Sequence, residues 1–428
     1  MLKKPFFGLC KPRLRYSIID EYEKESAIEV PLPEKMSLLV KKPPSINHDL
    51  AIKPGDLIRT GQKVQVTADS ECFLISTATG IIDSISDYTG YLGQRHFIIS
   101  INADAEERLD EEFTRIAGSG FLPDASEFIQ SLPGDPDFGS ILATQTPIET
   151  IIINGFDKDL LVNINQNIIK NRGDDLRKGI KFLKELTKCK KIIVTVPPEL
   201  KFSAEKLGIE VRLIEACYPD ALPEMVMKNI LGKIVPAGKS CRDMGVAFIS
   251  PETAASLAIV FDQKKPPVLK NLAVIDKNCH TINVIARIGT PVKDILKVLK
   301  IEVNEGDRII QGGPMTGVSL YSEEMPVMFD VDSLMVQDRS HIVPDSDSPC
   351  INCGECVRVC PSKIQVNMLI RLLENAHYEE AVDDYDLLSC IECGLCAFVC
   401  EARIPLFHYI MLGKYEFEKL KSAEEHNA

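Results

Sequence analysis

The chain has 428 residues, 45% of them hydrophobic and 26% charged, which predicts a globular protein of about three domains at ~150 residues each. Its net charge of −13 argues against nucleic acid as a partner, because a phosphate backbone selects basic surfaces. No apolar run reaches the ~20 residues that span a bilayer, and the start, "MLKKPFFGLCKPRLRY", lacks the apolar core and cleavage site of a signal peptide. We therefore expect a cytoplasmic chain with no direct membrane span and with reduced cysteines.

Residues 1–108 are predicted to form a β-rich domain, because short β-branched runs alternate with Gly, Pro and Asp signals. "KPGDLIRTGQKV" followed by "ATGIIDSI" resembles the barrel-sandwich hybrid of biotinyl and lipoyl carrier domains. Those carriers present a modified lysine at a tight turn, whereas the matching turn here, Thr77-Ala78-Thr79-Gly80, has no lysine. We therefore expect this domain to be structural.

Strand-like and helical patterns alternate over residues 109–265. The apolar run "IETIIINGF" (148–156) is typical of a buried parallel strand, and "DDLRKGIKFLKELTKC" (174–189) has Leu and Ile at helical spacing. Further strand-like runs lie at 190–198 and 209–217. This order predicts an α/β unit with a parallel sheet.

The last third of the chain is predicted to contain two small domains. Residues 266–337 return to short strands around one helix, "PVKDILKVLK", an order that resembles a β-grasp domain of the SLBB kind. A polar, Pro-containing linker then opens a cysteine module over 338–415, and residues 416–428 form a polar tail that we expect to fray.

Two runs, "CINCGECVRVCP" (350–361) and "CIECGLCAFVCE" (390–401), contain eight of the fourteen cysteines. Their Cys-x2-Cys-x2-Cys-x3-Cys spacing is typical of two-cluster bacterial ferredoxins, in which the last Cys of each run ligates the other cluster. The helical pattern of the residues between the runs predicts an α-helical ferredoxin. The predicted [4Fe–4S] ligand sets are Cys350, Cys353, Cys356 and Cys400 for the first cluster, and Cys390, Cys393, Cys396 and Cys360 for the second.

Zinc is the alternative metal for these cysteines. It favours paired CxxC motifs with four ligands per ion, which two complete four-cysteine runs fit poorly. Glu401 stands where the first run has Pro361, and we expect its charge to lower the potential of a nearby cluster. The other cysteines are scattered singly and are predicted to be buried small residues: Cys10, Cys72, Cys189, Cys217, Cys241 and Cys279.

This order of domains resembles the RnfC family, a component of the Rnf electron transport complex. The stretches that carry the resemblance are "VPLPEKMSLLV" (30–40), "IGTPVKDIL" (288–296), "GGPMTG" (312–317), the two cysteine runs and "RIPL" (403–406). The resemblance implies an α/β unit similar to the flavin-carrying subunit of respiratory complex I, which binds FMN, accepts hydride from NADH and passes electrons to the clusters. It also implies a membrane complex that exchanges electrons between ferredoxin and NAD while moving ions.

Three segments that would build the flavin pocket depart from the family pattern. They read "IAGSGFLPDASEF" (116–128), "NGFDKDLLVN" (154–163) and "ALPE" (221–224). The candidate remnants of an FMN site are Gly118, Gly120, Asn154 and Gly155. Because replaced glycines leave no room for a dinucleotide, we expect that FMN and NADH binding are lost while all eight cluster ligands remain.

Two functions follow from this pattern. The first is an electron-relay subunit that works through two [4Fe–4S] clusters, with other redox subunits and a ferredoxin-type protein as partners, held on the inner face of the cell membrane by those subunits. The second is an enzyme, a flavin-dependent NADH or ferredoxin dehydrogenase subunit of an Rnf-type ion-translocating complex. A third interpretation is an accessory subunit of a soluble dehydrogenase.

Overall fold

A computed structural model describes most of the chain. The described residues are 12–20, 26–42, 50–67, 73–119, 126–135, 138–143 and 146–427. Three residues singled out from the sequence, Cys10, Cys72 and Gly120, lie outside these ranges, as does much of the altered segment 116–128.

The N-terminal region is built from short strands, most of them antiparallel. They are β1 (Ile28–Glu29), β2 (Lys35–Lys41), β3 (Leu57–Ile58), β4 (Lys63–Gln65), β5 (Phe73–Ile75), β6 (Gly80–Thr89) and β7 (Arg95–Ala103). Four form a sheet in the order β2-β7-β6-β3, and β4 pairs with β5. Alternate residues of β2 and β7 are buried, including Leu38, Ile99 and Ile101, so one face of this sheet forms a core.

The turn between β5 and β6 is buried, as a structural role requires. Thr77 and Ala78 are almost fully inaccessible, and the Thr77 hydroxyl donates to the carbonyl of Ile288, 2.7 Å away. A Cβ on Gly80 would lie 2.1 Å from the carbonyl oxygen of Asn102, so this position requires glycine. The turn therefore joins the N-terminal region to the strands that follow residue 266.

The central region contains the predicted parallel sheet. Its strands are β8 (Thr150–Asn154), β9 (Lys191–Val196), β10 (Glu210–Leu213) and β11 (Val246–Ile249), all parallel in the order β10-β9-β8-β11. Its helices are α1 (Glu111–Ser119), α2 (Phe138–Leu142), α3 (Ile164–Asn171), α4 (Gly173–Thr187), α5 (Lys201–Glu205), α6 (Pro223–Leu231) and α7 (Pro251–Phe261). The strand order reverses between β8 and β11, which is where open α/β sheets bind ligands.

Helix α7 is buried on nearly every side, which explains its apolar sequence. It packs against α4 at Gly179, where a Cβ would lie 1.7 Å from the carbonyl oxygen of Ala254. Glycine therefore sets the close approach of these two helices.

A six-stranded sheet follows the α/β unit. Its strands are β12 (Leu269–Ile275), β13 (Thr281–Arg287), β14 (Arg308–Gln311), β15 (Val318–Leu320) and β16 (Ser333–Gln337), with α8 (Val292–Leu299) packed on it. The order is β1-β13-β12-β16-β14-β15, so β1 leaves the N-terminal region and pairs in parallel with β13.

The predicted burial of the scattered cysteines is only partly confirmed. Cys189 and Cys241 are buried and Cys217 is half-buried. Cys279 is exposed, because it occupies the β12–β13 turn with a φ of 63°, so the prediction is wrong at that position.

The C-terminal module is helical, as the sequence predicts. It contains α9 (Glu355–Val359), α10 (Val366–Leu373), α11 (Tyr378–Asp383), α12 (Leu395–Phe398) and α13 (Leu406–Asn427). Helix α13 continues through the segment that the sequence predicts to fray. None of the helices in the described ranges is long and apolar enough to cross a membrane.

A buried ionic cluster joins the α/β unit to the six-stranded sheet. Lys270 on β12 is fully buried and forms an ion pair with Glu252 on α7, and its Nζ donates to Asp332, 2.9 Å away. Glu252 Oε1 also accepts from the backbone and side-chain amides of Asn271, at 2.7 and 2.8 Å. Each buried charge is therefore compensated only while both domains are in contact.

We expect Lys270→Met to destabilise the protein by ~3–5 kcal/mol, because it leaves the Glu252 carboxylate buried without its cation. Chemical denaturation would measure the change. Lys201→Met is the control, because Lys201 pairs with Glu205 at the surface and its side chain is 57% exposed. Equal unfolding midpoints for the two variants would show that the buried pair does not stabilise the domain contact.

Two candidate iron–sulfur centres

The structure gathers the eight cysteines of the C-terminal module into two cavities. The first, of about 370 Å³, is lined by Cys350, Cys353, Cys356 and Cys400. The second, of about 360 Å³, is lined by Cys390, Cys393, Cys396 and Cys360. Each cavity thus combines three cysteines of one run with the last cysteine of the other. These are the two sets that the spacing predicts, and their role as ligands stays a prediction.

The backbone repeats with the sequence at an interval of forty residues. Pairs of residues with positive φ occupy equivalent positions, namely Asn352 and Glu392 (both 56°), Gly354 and Gly394 (74° and 70°), and Lys363 and Arg403 (63° and 55°). Residues other than glycine rarely adopt this conformation, so its recurrence indicates a loop shaped by a common requirement. In the second loop the Glu392 amide donates to Cys390 Sγ at 3.4 Å, which places a donor beside a candidate ligand.

A short helix follows each loop and directs one cysteine into its cavity. Helices α9 and α12 begin directly after Gly354 and Gly394. Cys356 and Cys396 are the second residues of these helices, and both are buried. Left-handed glycines allow the chain to turn from the loop into the helix within one residue.

The two cavities differ in exposure. Cys353 is exposed and its neighbour Ile351 is 65% exposed, so the first loop faces the surface. In the second loop Cys393 is 7% exposed and Cys396 is 9% exposed. The second cavity is therefore covered by the rest of the protein.

Three parts of the chain cover the second loop. The Tyr218 hydroxyl of the α/β unit donates to the carbonyl of Cys393, 2.7 Å away. The carbonyl oxygen of Met315, from the six-stranded sheet domain, lies so close that a Cβ on Gly394 would be 2.3 Å from it. Lys414 on α13 donates to the carbonyl of Cys390 at 2.7 Å.

Burial disfavours the thiolate form of these cysteines while no metal is bound. It raises the pKa of Cys356 to about 11 and that of Cys393 to about 12. Burial also raises the pKa of Cys390 and Cys396, although the Lys414 cation opposes the shift at Cys390. Because metal ligands must be thiolates, binding of a cluster would release protons.

Within the described residues, no three His, Cys, Asp or Glu side chains converge in the manner of a single-ion site. Glu401, whose charge the sequence places near a cluster, is exposed. Its predicted effect on the potential stays a prediction.

The candidate FMN-site remnants are found in unlike surroundings. The Asn154 amide donates to the carbonyl of Ala221 and its Oδ1 accepts from the Thr195 hydroxyl, both at 2.9 Å. The Gly155 amide donates to the carbonyl of Thr195, and a Cβ on Gly155 would lie 2.4 Å from that oxygen. Gly118 lies in α1 with no atom within 4 Å of a Cβ position. Packing therefore explains the glycine at 155 but not the one at 118.

Sequence reasoning missed a segment that we name the N-terminal strap, residues 14–19. Tyr16 donates its amide to the carbonyl of Ala216, and Tyr218 returns a bond to the carbonyl of Leu14. The Tyr16 ring packs on Phe156 and Tyr218 with centroids 5.1 and 5.3 Å apart. The strap thus covers residues that follow the carboxyl ends of β8 and β10. The alternation of polar and apolar residues in "RLRYSI" is the signal that could have indicated an extended segment.

Comparison with known proteins agrees with this arrangement. The 4Fe-4S dicluster domain family (Fer4_9) matches residues 335–404. The C subunit of the ion-translocating oxidoreductase complex of Serratia proteamaculans (strain 568) is 28% identical over 91% of this chain. The chain is a relative of RnfC. The resemblance that the sequence predicts is therefore confirmed, and the mixed α/β fold with a C-terminal 4Fe-4S domain is confirmed with it.

Other RnfC relatives carry the same name. Those of Pectobacterium carotovorum subsp. carotovorum (strain PC1) and Yersinia pseudotuberculosis serotype O:3 (strain YPIII) are 26% and 25% identical over 92% and 91% of this chain. The chain spans 55% to 59% of the length of these three curated relatives. Two structures of an NAD+-reducing [NiFe]-hydrogenase, H2-reduced and air-oxidized, are similar at 12% identity with TM-scores of 0.46 and 0.48. They cover 71% and 70% of this chain, which spans 62% and 65% of theirs.

The crossed arrangement of cysteines can be tested with single Ser substitutions. We expect Cys350→Ser and Cys400→Ser to disable the same cluster, and Cys390→Ser and Cys360→Ser to disable the other, because each pair lines one cavity. Iron content and low-temperature electron paramagnetic resonance (EPR) of the reduced protein would measure the loss. Cys241→Ser is the control, since Cys241 is buried in the α/β unit. Loss of the same cluster in Cys400→Ser and Cys390→Ser would contradict the crossed assignment.

Proposed function

We propose that this chain is an RnfC-like electron-transfer subunit that relays electrons through two [4Fe–4S] clusters. The observation that carries the proposal is the pair of cavities, each lined by four cysteines from two loops. Four thiolates per cluster are the donor set of this cofactor. The sets would be Cys350, Cys353, Cys356 and Cys400, and Cys390, Cys393, Cys396 and Cys360.

The surroundings of both cavities suit such a cofactor. When bound, a [4Fe–4S] cluster supplies one-electron transfer at a potential set by nearby charges, hydrogen bonds and exposure to solvent. The protein contributes a cation at Lys414, a backbone donor at Glu392 and an apolar wall that includes Ile364 and Ile410. These residues hold the second loop and limit the access of water to it.

The difference in exposure gives the relay two unlike ends. The loop that carries Ile351 and Cys353 is exposed, so a partner protein can approach the first cavity closely. The second cavity lies under Tyr218 and Met315 and faces the interior of the chain. We infer that electrons are exchanged with partner proteins at the first loop.

The strap supports the absence of an FMN or NADH site. Ligands of open α/β sheets bind outside the carboxyl ends of the strands. Here Tyr16 is 4% exposed and packs on Phe156, two residues beyond β8. Asn154 and Gly155 use their polar groups within the fold. These contacts favour a scaffold role for the α/β unit.

The finer features of the molecule belong to the same proposal. We infer a barrel-sandwich hybrid over 1–108, an α/β unit related to flavin subunits over 109–265, a β-grasp domain over 266–337 and a two-cluster ferredoxin over 338–415. The relatives are named as subunits of an ion-translocating oxidoreductase complex. By analogy, other redox subunits and a ferredoxin-type protein would be the partners, and they would hold this chain on the inner face of the cell membrane.

Anaerobic purification and reconstitution with iron and sulfide test the proposal. We expect about eight irons per chain, no stoichiometric flavin, and reduction by dithionite or a reduced ferredoxin but not by NADH. Iron analysis, flavin fluorescence after denaturation, and bleaching of the visible absorbance would measure these three properties.

The outcomes separate the candidate functions. Stoichiometric FMN with rapid bleaching by NADH would replace the relay with the flavin-dependent dehydrogenase. One or two zinc ions and no sulfide would reject both. A Cys350→Ser, Cys390→Ser double variant is the matched control, because it should lose the absorbance while the three other domains stay folded.

A further inference from the structure

A buried carboxylate of the α/β unit holds the turn that presses on the second cysteine loop. We propose that Asp159 is a positioning residue for the Cys390–Cys396 loop and that it acts through the turn Gly313–Gly317, which we name the glycine turn. This inference rests on the proposed function, because it concerns the second cluster. The Asp159 carboxylate bonds to the glycine turn, and the glycine turn in turn contacts the cysteine loop.

The Asp159 carboxylate accepts several hydrogen bonds from the glycine turn. Its Oδ1 accepts from the amide of Met315 at 3.0 Å, and its Oδ2 accepts from the amide and the hydroxyl of Thr316, each at 2.8 Å. Asp159 is 4% exposed, so these bonds replace the water that an ionised carboxylate needs. Hydrogen bonds to a charged acceptor are the stronger kind, which makes this an effective clamp.

The glycine turn is shaped to fit between the carboxylate and the loop. A Cβ on Gly313 would lie 2.4 Å from Cγ of Asp159, so only glycine allows this approach. The turn closes on itself through a bond from the Gly317 amide to the carbonyl of Gly313 at 3.1 Å. Its other side presents the Met315 carbonyl to Gly394, where again only glycine fits.

The contact with Gly394 connects this clamp to the candidate ligands. Gly394 follows Cys393 directly and precedes α12, which carries Cys396. The same loop is held from the α/β unit by the Tyr218 hydroxyl on the carbonyl of Cys393. A shift of the Met315 carbonyl would therefore move backbone dipoles that lie beside two of the four thiols. Hydrogen bonds and dipoles near a cluster tune its potential and its electronic structure.

The experiment compares Asp159→Asn with Asp157→Asn in the full-length, reconstituted protein. In Asp159→Asn an NH2 group replaces one carboxylate oxygen, and a donor then faces the donors of the glycine turn. Asp157 is the matched control, because it is also buried but accepts from the amide of Asn165 at the start of α3. Thr316→Val removes one hydroxyl donor and is a milder second variant.

The readouts are the EPR spectrum and the midpoint potential of each cluster, assigned with the Cys350→Ser and Cys390→Ser proteins. We expect Asp159→Asn to shift both properties of the Cys390 cluster and Thr316→Val to shift them in the same direction by less. The Cys350 cluster should be unchanged in both variants, and Asp157→Asn should leave both clusters as in the wild type.

Two results would overturn the assignment. An unshifted Cys390 cluster in Asp159→Asn would show that the clamp does not position the loop. Equal shifts of both clusters, or equal effects of Asp157→Asn, would show a general loosening of the fold. A wild-type protein that holds no clusters would reject the proposed function itself, which the iron and sulfide content reveals before any variant is compared.

Discussion

Each four-cysteine cavity takes three thiols from one loop and the fourth from the other, so neither loop can complete its cavity alone. The two runs are forty residues apart, and the intervening α10 and α11 must fold back to bring them together. Buried apolar side chains of this module, including Leu369, Ile370 and Leu387, supply the core that holds the two loops in place. The helical module and its paired cavities therefore depend on the same packing.

The second loop connects this module to the rest of the chain. Cys393 and Leu395 belong to an apolar cluster that also contains Phe156 and Tyr218 of the α/β unit. The six-stranded sheet domain reaches the same place through Met315. Domains that carry no candidate cluster ligand thus surround one loop and exclude water from it. The proposed loss of the flavin site and the retention of this packing are compatible, because a scaffold needs the fold but not the pocket.

The domain contacts also explain buried charges that the sequence alone would not justify. Glu252 and Lys270 come from different domains and are compensated only in the assembled chain. Asp157 lies near this cluster, and burial raises its pKa to about 8, with the nearby Asp332 carboxylate adding to the shift. The pKa of Asp159 is also raised by burial, while hydrogen bonds from Thr316 and Met315 oppose the shift. Polar groups at these contacts specify one arrangement of the domains.

The sequence by itself determined the features that depend on local pattern. The cysteine spacing predicted two sets of four, the apolar run at 148–156 predicted a parallel strand, and the pattern at 174–189 predicted a helix. These succeeded because ligand spacing and side-chain periodicity are properties of neighbouring residues. The fraying tail and the burial of Cys279 failed, because both depend on what packs nearby.

Only the tertiary structure decided that Tyr16 covers the carboxyl edge of the sheet and that Asp159 holds the turn beside Gly394. Asp159 and Met315 are 156 residues apart in sequence. No local pattern records which distant donors a buried carboxylate will meet, because those donors are brought to it only when the domains pack.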